Sequence, residues 1–218
     1  MRYNCILFDF DGTLCDTAAG VMGAYRIVLG RLGIPIPTEE TLKSFVGPPL
    51  FETFTKVFEL DTREAIEAVN IFREVYAEGG ARQYEIFNGV PEMLAALREA
   101  GARLAVATSK MEEVARRMCC ERGIEKYFEL IAGSLPDNSR SGKEQIISFA
   151  LERLGLPDAA EALMVGDRFY DVVGAKKRGM RSMGVLYGYG SRGELAGAGA
   201  DYLAESPEEV ARQILGMK

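Results

Sequence analysis

The sequence contains no histidine. That absence removes Ser-His-Asp and Cys-His nucleophile systems, phosphohistidine chemistry and histidine-ligated metals. A metal bound here would be a hard ion held by oxygens, which favours magnesium. Cysteine is scarce: Cys5, Cys15, Cys119 and Cys120 show no metal-ligand spacing and read as buried free thiols. No apolar run approaches the roughly 18 residues of a membrane span. No long basic stretch offers itself to nucleic acid. Met1-Arg2-Tyr3-Asn4 leads straight into a strand and lacks the form of a signal peptide. The expectation is a cytoplasmic protein, monomer or homodimer, with neither membrane nor nucleic acid as partner.

What remains is ordinary in amount. The chain has 218 residues, of which 48% are apolar and 27% charged. That length suits one large domain or two small ones. The net charge is −6. An anionic substrate would therefore be drawn by a local site and a bound metal, not by the field of the whole protein.

The order of hydrophobic patterns is more telling. Residues 4 to 8 make the first strand, and their apolar run Cys5, Ile6, Leu7 and Phe8 reads as buried and parallel. From Thr17 to about Gly80 the periodicity is helical throughout. Val21, Tyr25, Val28, Leu29 and Leu32 share one face, Thr38 can cap a second helix, and two further helices end at Gly79-Gly80. After Asn88, strands alternate with helices. Strands are expected at Arg103 to Thr108, Phe128 to Ala132, Ala162 to Val165 and Ser182 to Leu186, with an edge strand at Tyr202-Leu203. The alternation implies βαβ units. The expected fold is an α/β, doubly wound, Rossmann-like parallel sheet formed by residues 1–15 and 84–218. Residues 16–83 are expected to form an inserted α-helical cap domain.

The polar residues collect at strand ends. Asp9 and Asp11 follow the first strand directly. Thr108, Ser109 and Lys110 follow the second, and Asp167 and Asp171 the fourth, while Lys143 opens a helix. In a doubly wound sheet such carboxyl ends converge on one crevice. Two acids two residues apart repel unless a cation or a proton lies between them. A divalent metal would resolve that conflict and leave one carboxylate free to attack.

These motifs, Asp9-Phe10-Asp11-Gly12-Thr13, Thr108-Ser109, a downstream lysine and Gly166-Asp167 followed by Asp171, resemble those of the haloacid dehalogenase-like hydrolase superfamily. The match is to its phosphoglycolate-phosphatase-like branch with a helical cap. Gly184-Val185, Gly188-Tyr189-Gly190 and Ala198-Gly199-Ala200-Asp201 extend it to the tail. The resemblance implies that Asp9 is the nucleophile, forming an aspartyl-phosphate, and that Asp11 is first general acid and then general base. It implies magnesium held by Asp9, Asp11 (through its backbone carbonyl) and Asp167, with Asp171 behind them orienting a water or the lysine. Asp171 also reads as an N-terminal helix cap, and both roles can coexist. Thr108 and Ser109 would bind phosphoryl oxygens, Ser109 from the start of a helix; helix capping is their other reading. Lys143 is the expected charge-balancing lysine, although Glu144 stands where the family carries proline. Lys110 reads either as a second phosphate ligand or as a solvated lysine at a helix start.

The implied activity is a magnesium-dependent phosphomonoester hydrolase of a small phosphorylated metabolite. Phosphoglycolate, nucleotides and sugar phosphates all remain open. The alternatives are a phosphomutase and a non-catalytic phosphate-binding module. Gly47-Pro48-Pro49-Leu50 resembles the loop such caps lower toward substrate, and also reads as a helix-breaking turn. Arg26, Lys56, Arg73 and Arg82 are the cap's candidate anion readers.

Overall fold

The first strand, β1 (Cys5–Phe8), is buried at every residue, as a strand in the middle of a parallel sheet must be. Its side chains alternate between two apolar layers. Ile6 and Phe8 pack with Leu94, Leu97 and Met118 on one face. Cys5 and Leu7 pack with Ile147, Leu151 and Met164 on the other. The computed structural model describes residues 2–156 and 159–217. Met1, the first residue of the N-terminal reading, lies outside the described residues.

Beyond β1 the chain runs through β2 (Cys15–Asp16), α1 (Ala18–Arg31), α2 (Glu39–Ser44), α3 (Leu50–Lys56), α4 (Thr62–Glu78) and β3 (Glu85–Ile86). It then alternates: α5 (Val90–Glu99), β4 (Arg103–Met111), α6 (Glu112–Glu121), β5 (Leu130–Ser134), α7 (Lys143–Arg153), β6 (Ala162–Gly166), α8 (Phe169–Lys177), β7 (Arg181–Val185), α9 (Arg192–Ala198), β8 (Tyr202–Ala204) and α10 (Pro207–Gly216).

Six strands make one parallel sheet in the order β5-β4-β1-β6-β7-β8. The chain moves outward from β1 through β4 to β5. It then crosses back to the other side of β1 and moves outward again through β6. The reversal lies between β1 and β6, where Phe8 pairs with Val165. A sheet of this kind opens its ligand crevice at that point, beyond the carboxyl ends of the two strands. Asp9 and Asp167 are the residues that stand there.

The helices α1 to α4 bury their own cluster, separate from both faces of the sheet. Tyr25 is at its centre, with Phe45, Phe54 and Phe72 at 5.3, 5.6 and 4.9 Å between ring centroids. Local signals set the boundaries of these helices. The Thr38 side chain accepts from the Thr41 backbone N–H, as expected. Asp61 and Glu64 form a reciprocal capping box that starts α4.

Several details differ from the sequence reading. Cys15–Asp16 pairs antiparallel with Glu85–Ile86, a ribbon too short to leave a periodic signal, where the chain enters and leaves the helical unit. β4 continues past Thr108 to Met111 through a register irregularity. β5 begins at Leu130, because a tight turn at Glu125–Tyr127 uses the preceding residues. Cys5, Cys15 and Cys119 are buried, but Cys120 is exposed. No helix among the described residues is long and apolar enough to cross a membrane.

Candidate active site

At the end of β1 the Asp9 carboxylate is buried and accepts from the Phe10 backbone N–H at 2.7 Å and from Lys143 Nζ at 2.9 Å. Lys143 is the first residue of α7. Its ammonium also pairs with Asp171 Oδ1 at 2.7 Å and donates to the Ala107 carbonyl at 3.0 Å. A lysine opening a helix opposes the helix dipole, and two carboxylates at hydrogen-bond distance offset that cost here. Burial alone would lower the Lys143 pKa, but Asp171 and Asp9 hold it above its ordinary value.

Asp167 stands beside this pair. It accepts from Thr13 Oγ1 at 3.2 Å and from the Tyr189 backbone N–H at 2.8 Å. Oxygens of Asp9, Asp167 and Asp171 lie within 4.8 Å of one another. Burial first, and the neighbouring carboxylates second, push Asp167 well above the usual carboxylate range. Burial likewise raises Asp9, against the pull of Lys143, to about 7. Three buried carboxylates therefore crowd together, and two of them pair with the ammonium of Lys143. The donor set is all oxygen, buried and short of positive charge, which is the chemistry of a divalent hard-cation site.

The crowding depends on glycine at two points. Gly12 has φ +75, and a Cβ there would overlap Asp167 Oδ2. A Cβ on Gly188 would overlap the Gly12 carbonyl and the Asp167 side chain. Any larger residue at either position would drive the β1 turn away from the β6 turn.

Asp11 points elsewhere. Its carboxylate accepts from Thr17 Oγ1 at 2.6 Å and from Lys110 Nζ at 2.8 and 3.1 Å. Its side chain is thus outside the three-carboxylate group, which includes Asp171, whose pairing with Lys143 is a contact the sequence reading named. Asp171 also reaches back to the Arg168 backbone N–H at 3.1 Å from the first turn of α8, so the helix-capping contact and the lysine contact coexist.

Lys110 is buried, which excludes its reading as a solvated lysine. Its Nζ lies 4.5 Å from the Tyr76 ring centroid. Burial opposes its charge, but Asp11 and Tyr76 keep its pKa above the ordinary value. Thr108 and Ser109 sit on β4, not at a helix start. α6 begins only at Glu112, and Met111 occupies its N-cap without a side-chain bond. The cause is the extension of β4 by three residues beyond the apolar run. The Thr108 hydroxyl accepts from the Lys110 backbone N–H at 3.2 Å. Ser109 Oγ is buried and has no hydrogen-bond partner. A buried orphan hydroxyl is expensive unless a ligand completes it.

Between this floor and the helical unit lies a cavity of about 230 Å³. Asp11, Ser109 and Lys110 line it from below; Phe45, Gly47-Pro48-Pro49-Leu50, Phe72 and Tyr76 line it from above. Of the four basic candidates in the helical unit, Arg73 alone lines it, and its terminal nitrogens donate to Pro136 O and Asn138 Oδ1, both at 2.8 Å. Arg26 pairs with Glu39, and Lys56 with Glu52, away from the floor.

Sequence reasoning missed two residues. Tyr189 donates its backbone N–H to Asp167, while its hydroxyl lies 2.8 Å from Asp16 Oδ1 and accepts from the Thr17 N–H at 2.7 Å. An aromatic flanked by Gly188 and Gly190 was the available signal. Arg168 follows Asp167 and donates from Nη1 to the Ser44 and Val46 carbonyls at 3.0 and 2.6 Å. It thereby ties the β6 turn to the end of α2, which no local pattern announces.

Comparison with known proteins identifies the family. Residues 6–185 match the profile of the haloacid dehalogenase-like hydrolase family. The chain is 41% identical over 195 residues to a Pseudomonas aeruginosa protein named 5'-nucleotidase, covering 89% of this chain and 88% of that one. It is 41% identical over 185 residues to the tyrosine-protein kinase PtkA of Mycobacterium tuberculosis, covering 85% of this chain but 62% of that longer protein. Proteins named phosphoglycolate phosphatase match at lower identity. A solved structure described as a predicted phosphatase from Clostridium acetobutylicum has a TM-score of 0.96 and 36% identity, covering 100% of both chains.

Proposed function

This chain belongs to the haloacid dehalogenase-like hydrolase family and is a phosphatase, and from that premise we propose that it hydrolyses a small phosphomonoester through a phosphoryl group carried on Asp9, with magnesium as its metal. The observation that supports this most is the charge deficit at the carboxyl end of the sheet, where Asp9 and Asp171 share Lys143 and Asp167 crowds beside them. Those three side chains, with the Asp11 backbone carbonyl, are the groups that would hold the ion. When bound, magnesium supplies positive charge that offsets the repulsion between a phosphate and a carboxylate nucleophile.

The chain's own residues divide the work. A carboxylate oxygen of Asp9 attacks phosphorus, and the bond from phosphorus to the leaving oxygen breaks. Asp11 gives that oxygen a proton. A water then attacks the same phosphorus, Asp11 takes the water's proton, and Asp9 is released with inorganic phosphate. Lys143 keeps Asp9 oriented. Thr108, Ser109 and Lys110 take the phosphoryl oxygens, the unpaired Ser109 hydroxyl gaining the partner it lacks. Residues 16–83 serve as a cap over a core formed by residues 1–15 and 84–218, excluding bulk water while the leaving group departs.

Acid quenching during turnover, followed by peptide mass analysis, should place the phosphoryl group on the peptide containing Asp9. Undiminished phosphate release by Asp9→Asn would overturn the proposal. The kinase named among the relatives gives a second reading, in which the same phosphoryl group passes to an acceptor hydroxyl. A phosphomutase would return it to its substrate. Release of inorganic phosphate without an acceptor or a bisphosphate activator separates hydrolysis from both.

A further inference from the structure

The upper half of the cavity is made of a different material from its floor. Phe72 and Tyr76, one turn apart on α4, hold their rings nearly parallel, 12° between planes and 5.8 Å between centroids. Phe45 and Leu50 line the cavity as well. Tyr25 packs behind Phe45 and Phe72 and fixes their rings.

Charge is the second observation. The two cations that line the cavity are Lys110 and Arg73, among the described residues. Lys110 is paired with Asp11 at the floor. Arg73 donates from its terminal nitrogens only to the neutral oxygens of Pro136 and Asn138, and its buried Nε has no partner. Of the lining residues from the helical unit, Arg73 and Glu52 are the charged ones, one of each sign, and the rest are uncharged. Size is the third observation. A cavity of roughly 150 Å³ lined by Leu, Ile and Phe takes up benzene, and this one is about 230 Å³.

We propose that the leaving group of this phosphatase is an uncharged aromatic ring system, such as a nucleobase-bearing or aryl alcohol, seated against Phe72 and Tyr76. This rests on the phosphatase reading and sharpens it. The phosphate lies at the charged floor and the ring at the aromatic roof. Small phosphomonoesters such as phosphoglycolate are poorer substrates, because they leave the aromatic rings without a contact.

The test is phosphate release, read as kcat/KM with magnesium present. Nucleoside monophosphates and phenyl phosphate are compared with phosphoglycolate and glycerol phosphate. An aromatic substrate should lead by about tenfold or more, the effect of burying one ring. A lead by the nucleotides assigns the ring to a nucleoside, and a lead by phenyl phosphate to a simpler aryl group. Phosphoglycolate or glycerol phosphate equal to the best aromatic substrate overturns the proposal. If none releases phosphate, the phosphatase reading fails instead. Calorimetric binding then decides the inference: phenyl phosphate tighter than phosphoglycolate supports it, and equal affinity overturns it. Phe72→Leu keeps the apolar bulk and removes the ring. It should raise KM for the aromatic substrate about fivefold more than for phosphoglycolate; equal changes in both overturn the assignment.

Discussion

The sheet below this cavity and the helical unit above it, its floor side and its roof side, are stabilised by opposite means. The floor side gathers Asp9, Asp167, Asp171 and Lys143 at the ends of β1 and β6 and the first turns of α7 and α8, all buried, with more negative charge than positive. The roof side gathers Tyr25, Phe45, Phe54 and Phe72 into an aromatic cluster. The difference separates chemistry from selection. Unbalanced charge must be rigidly supported and completed by a ligand, so it belongs on the sheet. Apolar surface tolerates changes of shape and suits the recognition of a leaving group.

The sharpest way to test the contrast is to remove the nucleophile. Asp9→Asn should lower kcat by at least about 10³-fold, and the melting temperature should not fall, because one of three crowded carboxylates is neutralised. A drop in stability without loss of turnover would reverse the picture. Chelation of divalent metal comes next: phosphate release should fall to background and return with magnesium, while circular dichroism stays the same.

A matched pair then sets charge against packing. Lys143→Met leaves Asp9 and Asp171 buried without their cation and should cost about 3–5 kcal/mol in urea unfolding. It should abolish turnover as well. Phe54→Ala, at a fully buried ring, should cost about 3–5 kcal/mol by cavity formation, yet retain most turnover per folded molecule. Similar kinetics in the two variants would erase the division between floor and roof. The smallest effect is expected at their junction. Arg168→Gln removes the charge-assisted bonds to the Ser44 and Val46 carbonyls and should raise KM about 3- to 10-fold with little change in kcat.

Legibility followed the same division. Asp9 and Asp11 were readable because paired acids at the end of a buried strand must be offset by a cation or a proton, and the apolar run closing on Gly12 marks that end. Lys143 was readable because it stands where the resembling family carries its lysine, at the start of a strongly periodic helix. Ser109 was misplaced onto a helix, because Lys110 and Met111 continue β4 without the apolar side chains that mark a strand. Tyr189 and Arg168 act across 22 and 122 residues of sequence, on Asp167 and Val46 respectively, and no local pattern encodes such distances.

Composition and spacing determined by themselves that this protein has a parallel sheet with acids at its strand ends, a helical insertion, and no histidine chemistry. Tertiary structure decided that the Asp171 carboxylate, and not that of Asp11, stands with Asp9 and Asp167, that Lys110 holds Asp11, and that aromatic rings face the floor. The physical reason is that periodicity reports which face of an element is buried, whereas the partners it meets depend on strand order and register. In this chain those place β1 directly against β6.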